Sequence, residues 1–135
     1  MAQGNISADV VRFIAERIDS VPHLEALLLL FDSAPKGWSA GEVAARIYRS
    51  EEQARALLQG LARQQLVVLE AEAAERYRYD GAWDESGATM RSVADTYRRH
   101  LVSVANLIHS KASPAVRDFA RAFQFKKKPD KKEDS

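Results

Sequence analysis

Apolar positions along this chain mostly recur at three- and four-residue steps, and in one region at two-residue steps. Val10, Val11, Phe13, Ile14 and Ile18 would line one side of a first helix, with Ser7 as its cap. Ser20 is placed to cap a second helix, with Pro22 in the first turn, where a missing N–H costs nothing. The run "HLEALLLLFDS" that follows is apolar nearly all round, which predicts a central buried helix, and "APKG" ends it. Ser39 with Glu42, and Ser50 with Gln53, have the spacing of capping boxes. Two short helices are therefore expected from about 40 and 51. Val43, Ala44 and Ile47 face inward on the first, and Ala54, Leu57, Leu58 and Leu61 on the second. The link "YRS" is so short that the two helices must cross sharply, a helix-turn-helix signal.

Two strand-like runs come next. In "LVVLEA" and "ERYRYD" the residues are β-rich, and Arg76 and Arg78 alternate with Tyr77 and Tyr79. "EAAE" would be the tip of a hairpin. Asp84 or Ser86 would then cap a long helix over about 85–111. Its stripe contains Met90, Val93, Ala94, Tyr97, Leu101, Val104, Ala105 and Ile108. Pro114 breaks that helix. Residues 114–125 are expected to form a short amphipathic helix with Val116, Phe119, Ala120 and Phe123 on one side. Residues 126–135, "KKKPDKKEDS", have the composition of a disordered tail.

Composition narrows this picture. A chain of 135 residues with 46% hydrophobic and 29% charged residues suits one folded domain, here residues 1–113, with extensions. The absence of cysteine excludes disulfides and thiolate-held metals. The N-terminus lacks the basic and apolar regions of a signal peptide. "LEALLLLF" is far shorter than the roughly 20 apolar residues of a membrane span. A cytoplasmic protein with no membrane contact is expected. The net charge of +1 is unevenly spread. Residues 1–90 carry nine Lys/Arg against fourteen Asp/Glu, and residues 91–135 carry eleven against five. The basic character lies away from the helix-turn-helix, which bears on any nucleic-acid reading.

The pattern of Val43, Ala44, Ala45 and Ile47, then Ser50, Ala54, Leu58 and Leu61, then Leu66, Val67 and Val68 resembles a bacterial family. It is similar to the winged helix-turn-helix transcriptional regulators, in the broad multiple-antibiotic-resistance-repressor-like group. The likeness covers roughly residues 39–80. It implies a mainly α fold with a small β-hairpin wing: helix-turn-helix at about 39–65, wing at about 66–80, and a long C-terminal helix. It also implies DNA binding, with the helix at about 51–64 in the major groove. Gln53, Arg55 and Gln59 would then face bases, and Arg46, Arg49, Arg63, Arg76 and Arg78 would face phosphates.

The chain departs from the family pattern at two places. Gln65 stands where the family commonly has glycine, and the wing tip "EAEAAERYR" is acidic where the family favours glycine or basic residues. Glu51 and Glu52 open the reading helix. Acids in a first turn favour the helix dipole by about 0.3–1 kcal/mol each, which is sufficient reason for them. Glu70, Glu72 and Glu75 add the same sign in the wing, and like charge weakens approach to DNA.

A second reading therefore stands beside the first: a winged-helix module that binds a protein partner and does not read DNA. The partner would dock on the long helix or on the C-terminal aromatic segment with Phe119, Phe123 and Phe125. A homodimer is expected on either reading. Its contact candidates are Met90, Val93, Tyr97, Leu101, Val104 and Ile108, because Val102 and Leu107 lie off the main stripe and one core need not use both faces. The chemistry of an enzyme is not indicated. His23, His100 and His109 have no second histidine at helical spacing, and HExxH, phosphate-loop and nucleophile-elbow motifs are absent. No metal and no cofactor is expected.

Overall fold

The computed structural model describes residues 6–71 and 73–112. The expected helix at 114–125 and the tail at 126–135 lie outside the described residues, as does Glu72 of the wing. Among the described residues the chain is mainly helical, with six helices and one small antiparallel sheet of three strands.

Each of the first four helices starts at its expected serine. Ser7 accepts from the Val10 amide at the start of α1 (Ala8–Arg17), and Ser20 from that of His23 at the start of α2 (Val21–Asp32). Full capping boxes open α3 (Ala40–Ile47) and α4 (Glu51–Arg63). In each, the serine hydroxyl accepts from the third helical amide, while the Glu42 or Gln53 side chain accepts from the serine amide. Two otherwise unbonded donors are satisfied at once, at the two points where the chain must turn.

The helix α2 is the axle of the core, with Leu24, Ala26, Leu27 and Leu30 fully buried. It packs against α3 and α4, and strand β3 lies on it as well. Val43, Ala44, Ala54, Leu58 and Leu61 close the core from the other side. The sheet has the order β1-β3-β2, with β1 at Trp38–Ser39, β2 at Val67–Ala71 and β3 at Arg76–Tyr79. The hairpin register pairs Val67 with Tyr79 and Leu69 with Tyr77, and a bulge follows Leu69. Tyr77 and Tyr79 point into the core while Arg76 and Arg78 point out, as the two-residue alternation predicts. Strand β1 was not legible in the pattern. Two residues are too few to show a period, and Trp38 joins the sheet by pairing with Tyr77. Its indole N–H is anchored on the Ser33 hydroxyl, which in turn donates to the Leu29 carbonyl.

Among the described residues, three other than glycine hold the left-handed backbone conformation: Tyr48 (φ 59°), Gln65 (φ 63°) and Glu75 (φ 52°). Each costs on the order of 1–2 kcal/mol against glycine-like freedom. Two of them end helices. The Arg49 amide reaches back to the Ala44 carbonyl over Tyr48, and the Leu66 amide to the Leu61 carbonyl over Gln65. This closure requires a left-handed residue. Gln65 thus adopts a conformation that glycine takes without strain.

The expected single helix over 85–111 is corrected to two, α5 (Ala88–Arg99) and α6 (Leu101–Ala112), separated at His100 (φ −130°, ψ 48°). No proline or glycine lies nearby, so local sequence does not dictate the break. The break lets both segments lie against α1, which each of them contacts. Met90, Val93 and Ala94 of α5 and Val104 and Ile108 of α6 are thereby buried in this chain's own core. Capping is shared at the start of α5. The Asp84 carboxylate accepts from the Thr89 and Met90 amides, and the Ser86 hydroxyl accepts from the Ala88 amide. The capping position itself is Gly87, with φ 76°.

Candidate nucleic-acid interface

The corner between α3 and α4 consists of Tyr48, Arg49 and Ser50, all exposed. Beyond it the outer face of α4 presents Glu52, Ala56, Gln59 and Arg63 to solvent, while Ala54, Leu58 and Leu61 are buried beneath. The hairpin stands beside α4, and the two are joined by one residue. Arg55 Nε donates to Glu75 Oε2 at 2.6 Å and Nη2 to Glu75 Oε1 at 3.1 Å, a forked pair. Its Nη2 also meets Glu51 Oε2 at 2.9 Å. The Arg55 guanidinium holds the Glu75 carboxyl below its ordinary value, and the hydrogen bonds that Arg55 donates to Glu75 and then to Glu51 push its own pKa further up.

This arrangement changes the expected base-reading set. Arg55 is a strut between α4 and the hairpin, with its Nε and Nη2 engaged by two carboxylates. Gln53 is tied to the Ser50 amide through its side-chain oxygen, so its role in the structure is that of a cap. Gln59 is exposed and, alone of the three, its side chain makes no hydrogen bond among the described residues.

The five arginines expected to meet phosphates divide in the same way. Arg76 donates to the Gly37 carbonyl and to Glu42 Oε1, both at 3.0 Å, so it braces the sheet against the start of α3. The Glu42 carboxyl is held low first by the Ser39 amide and then by Arg76. Arg78 leans on the Tyr79 carbonyl at 3.4 Å. Arg46 lies over the Trp38 ring, 5.4 Å from its centre, in cation–π geometry. Arg46, Arg49, Arg63 and Arg78 have no carboxylate partner among the described residues. The pairings of Arg55 with Glu75 and of Arg76 with Glu42 were not legible because these partners are 20 and 34 residues away, beyond any helical or hairpin-neighbour spacing. Tyr48 was missed as well. Its signal is a large aromatic in a three-residue link where the backbone must turn left-handed.

The dimer-contact candidates are corrected. Met90, Val93, Val104 and Ile108 are at most 1% exposed within one chain, so they have no surface to offer a second copy. Tyr97 is half-buried, with its hydroxyl donating to Glu25. Leu101, just past the break, is exposed, and so is Val102 beside it.

An open groove of about 380 Å³ lies between α2, α3 and α5, with Arg46 and Tyr48 at one side and Tyr97 and Arg98 at the other. Arg98 is paired with Asp32 across it at 2.7 Å. Among the described residues no group of three or more His, Asp or Glu could hold a metal ion. No described helix is long and apolar enough to cross a membrane. Comparison with protein-family models, curated proteins and solved structures finds no match to this chain.

Proposed function

We propose that this chain is a winged-helix transcriptional regulator that binds DNA through α4. The observation that carries the reading is the order of capped α3, a three-residue corner with Tyr48 left-handed, capped α4 and an adjoining hairpin, with the outer face of α4 free of the core. A major groove about 12 Å wide accepts a helix presented in this way. Gln59 is the base-reading residue best placed to act directly. Arg46, Arg49, Arg63 and Arg78 supply the phosphate contacts, and Arg55 and Gln53 hold α4 in position. On this reading the chain acts in the cytoplasm as a regulator rather than an enzyme. The homodimer is made through the exposed Leu101 and Val102.

The test is titration of the full chain against genomic DNA fragments at several salt concentrations. Four phosphate contacts predict that log affinity falls against log salt with a slope of about −3 to −4. A slope near zero with no retained fragment rejects the reading.

One observation favours a second reading, a protein-binding module that does not read DNA. Arg55 and Arg76, two of the cations on the candidate face, are neutralised by Glu75, Glu51 and Glu42. Under that reading the full chain retains no DNA even at low salt. Co-purification with chains ending at residues 113 and 135 then shows whether a partner depends on the C-terminal segment.

A further inference from the structure

Tyr48 is 92% exposed, the most exposed large apolar or aromatic side chain among the described residues. It is also in the left-handed backbone conformation, with φ 59° and ψ 47°. These two facts are in tension with a structural role. The closure at the end of α3 needs a positive φ at this position, because the amides of residues 48 and 49 both turn back to the Ala44 carbonyl. Glycine meets that need without strain, and asparagine with little. A bulky ring here is an outlier, and it recovers nothing by burial. Backbone strain of this kind collects at positions used for binding.

Its surroundings indicate what it would bind. Arg46, two residues earlier at the end of α3, lines the same groove as Tyr48, Arg49 is next in the chain, and neither arginine has a carboxylate partner among the described residues. Trp38 holds the Arg46 guanidinium in place from below. The nearest acids in the adjoining groove are engaged elsewhere, Asp32 by Arg98 and Glu25 by the Tyr97 hydroxyl. The corner therefore offers two cations and, between them in sequence, a phenol on a rigid backbone. That is a donor set for an anionic oxygen, and it stands at the entry to α4.

We infer that Tyr48 is a phosphate-contact residue, donating its hydroxyl to a DNA backbone oxygen at the corner whose neighbouring positions carry Arg46 and Arg49, and so setting how deeply α4 enters the groove. The inference rests on the DNA-binding reading above. A neutral donor to a phosphate positions the protein without carrying charge, so its removal has a signature that loss of an arginine does not share.

The experiment compares the full wild-type chain with Tyr48→Phe, Tyr48→Gly and Arg49→Ala on sheared genomic DNA across a salt series, with thermal denaturation of each. Tyr48→Phe is expected to denature like wild type and to bind roughly three- to tenfold more weakly, with an unchanged salt slope. Tyr48→Gly is expected to lose at least as much affinity while its Tm stays level or rises. Arg49→Ala is expected to flatten the slope by about one. Tyr48→Phe binding within twofold of wild type overturns the hydroxyl contact and leaves the DNA reading standing. A wild-type chain that retains no DNA overturns both. If Tyr48→Gly fails to fold, the Phe variant decides.

Discussion

Arg55 is the residue on which the chemistry of the candidate interface turns. Its forked pair with Glu75 is half-exposed, and pairs of that kind contribute little to stability after solvent screening. Replacing Glu75 by Gln should therefore leave the denaturation midpoint nearly unchanged. It should also leave Glu51 as the one carboxylate on Arg55, releasing Nε towards a phosphate or base and steepening the salt dependence of DNA binding by up to about one. An unchanged slope in a folded Glu75→Gln variant would leave Arg55 with a bracing role only. The Glu75 carboxyl, together with that of Glu42, adds a small pH dependence at the acid end. Glu42 and Glu75 both have folded pKa values below the ordinary 4.5, so they contribute stability above that value that is lost as pH falls through their lowered values. The alkaline limit has the opposite sign. Burial, with Asp84 adding to it, pushes the Tyr79 phenol from 10.0 up to about 12. That group favours the folded state fully below pH 10, and the contribution is lost as pH rises towards 12. A Tyr79→Phe variant should show a smaller loss of stability across that window in urea titrations. Tyr79 Oη has no hydrogen-bond partner among the described residues to forfeit.

At the scale of elements, α4 is held from three sides. Its serine cap fixes where it starts, Leu58 and Leu61 seat it on α2, and Arg55 ties it to the hairpin. These contributions differ in size. Leu58→Ala leaves a cavity at a position with no exposure, and such truncations cost about 2–5 kcal/mol. Ser50→Ala removes one arm of a capping box at an exposed helix end and should cost about 0.5–2 kcal/mol. Urea denaturation of the two variants should reproduce that order. A reversal would mean that α4 is positioned by its cap more than by its packing. The hairpin depends on the tyrosines in the same sense. Tyr77 is paired on both sides, with Trp38 and with Leu69, so β1 closes the sheet over the core although only two residues form it.

For the molecule as a whole, the break at His100 decides what remains available to a partner. By bending the C-terminal helical region around α1, it directs most of the apolar stripe into one chain's core. What stays outside is small: Leu101 at 51% and Val102 at 69% exposure. If the chain dimerises through its described surface, the contact passes through these two. Leu101→Asp with Val102→Asp should then shift the species seen by light scattering from dimer to monomer with little effect on the Tm. A dimer that survives both changes would lie elsewhere.

Much of this architecture was legible because its causes are local. A serine three residues before a Glu or Gln satisfies amides by itself, and an apolar residue every three or four positions defines a face whatever the neighbours do. The caps at Ser7, Ser20, Ser39 and Ser50, the buried α2 and the in-out alternation of Arg76 to Tyr79 all follow from such rules. The candidate site was legible only in part. Sequence marked which cations stand on or near α4, but not that Glu75 and Glu42 reach Arg55 and Arg76 across the fold, because charge pairing depends on distance in space. The helix break and the use of both its segments in one core were decided by packing on α1, a surface that exists only once the chain has folded. Sequence alone thus determined the elements and their inner faces, through hydrogen bonds and periodicity within a few residues. Tertiary structure decided which charges are spent within the chain and which, around Tyr48, still face outward.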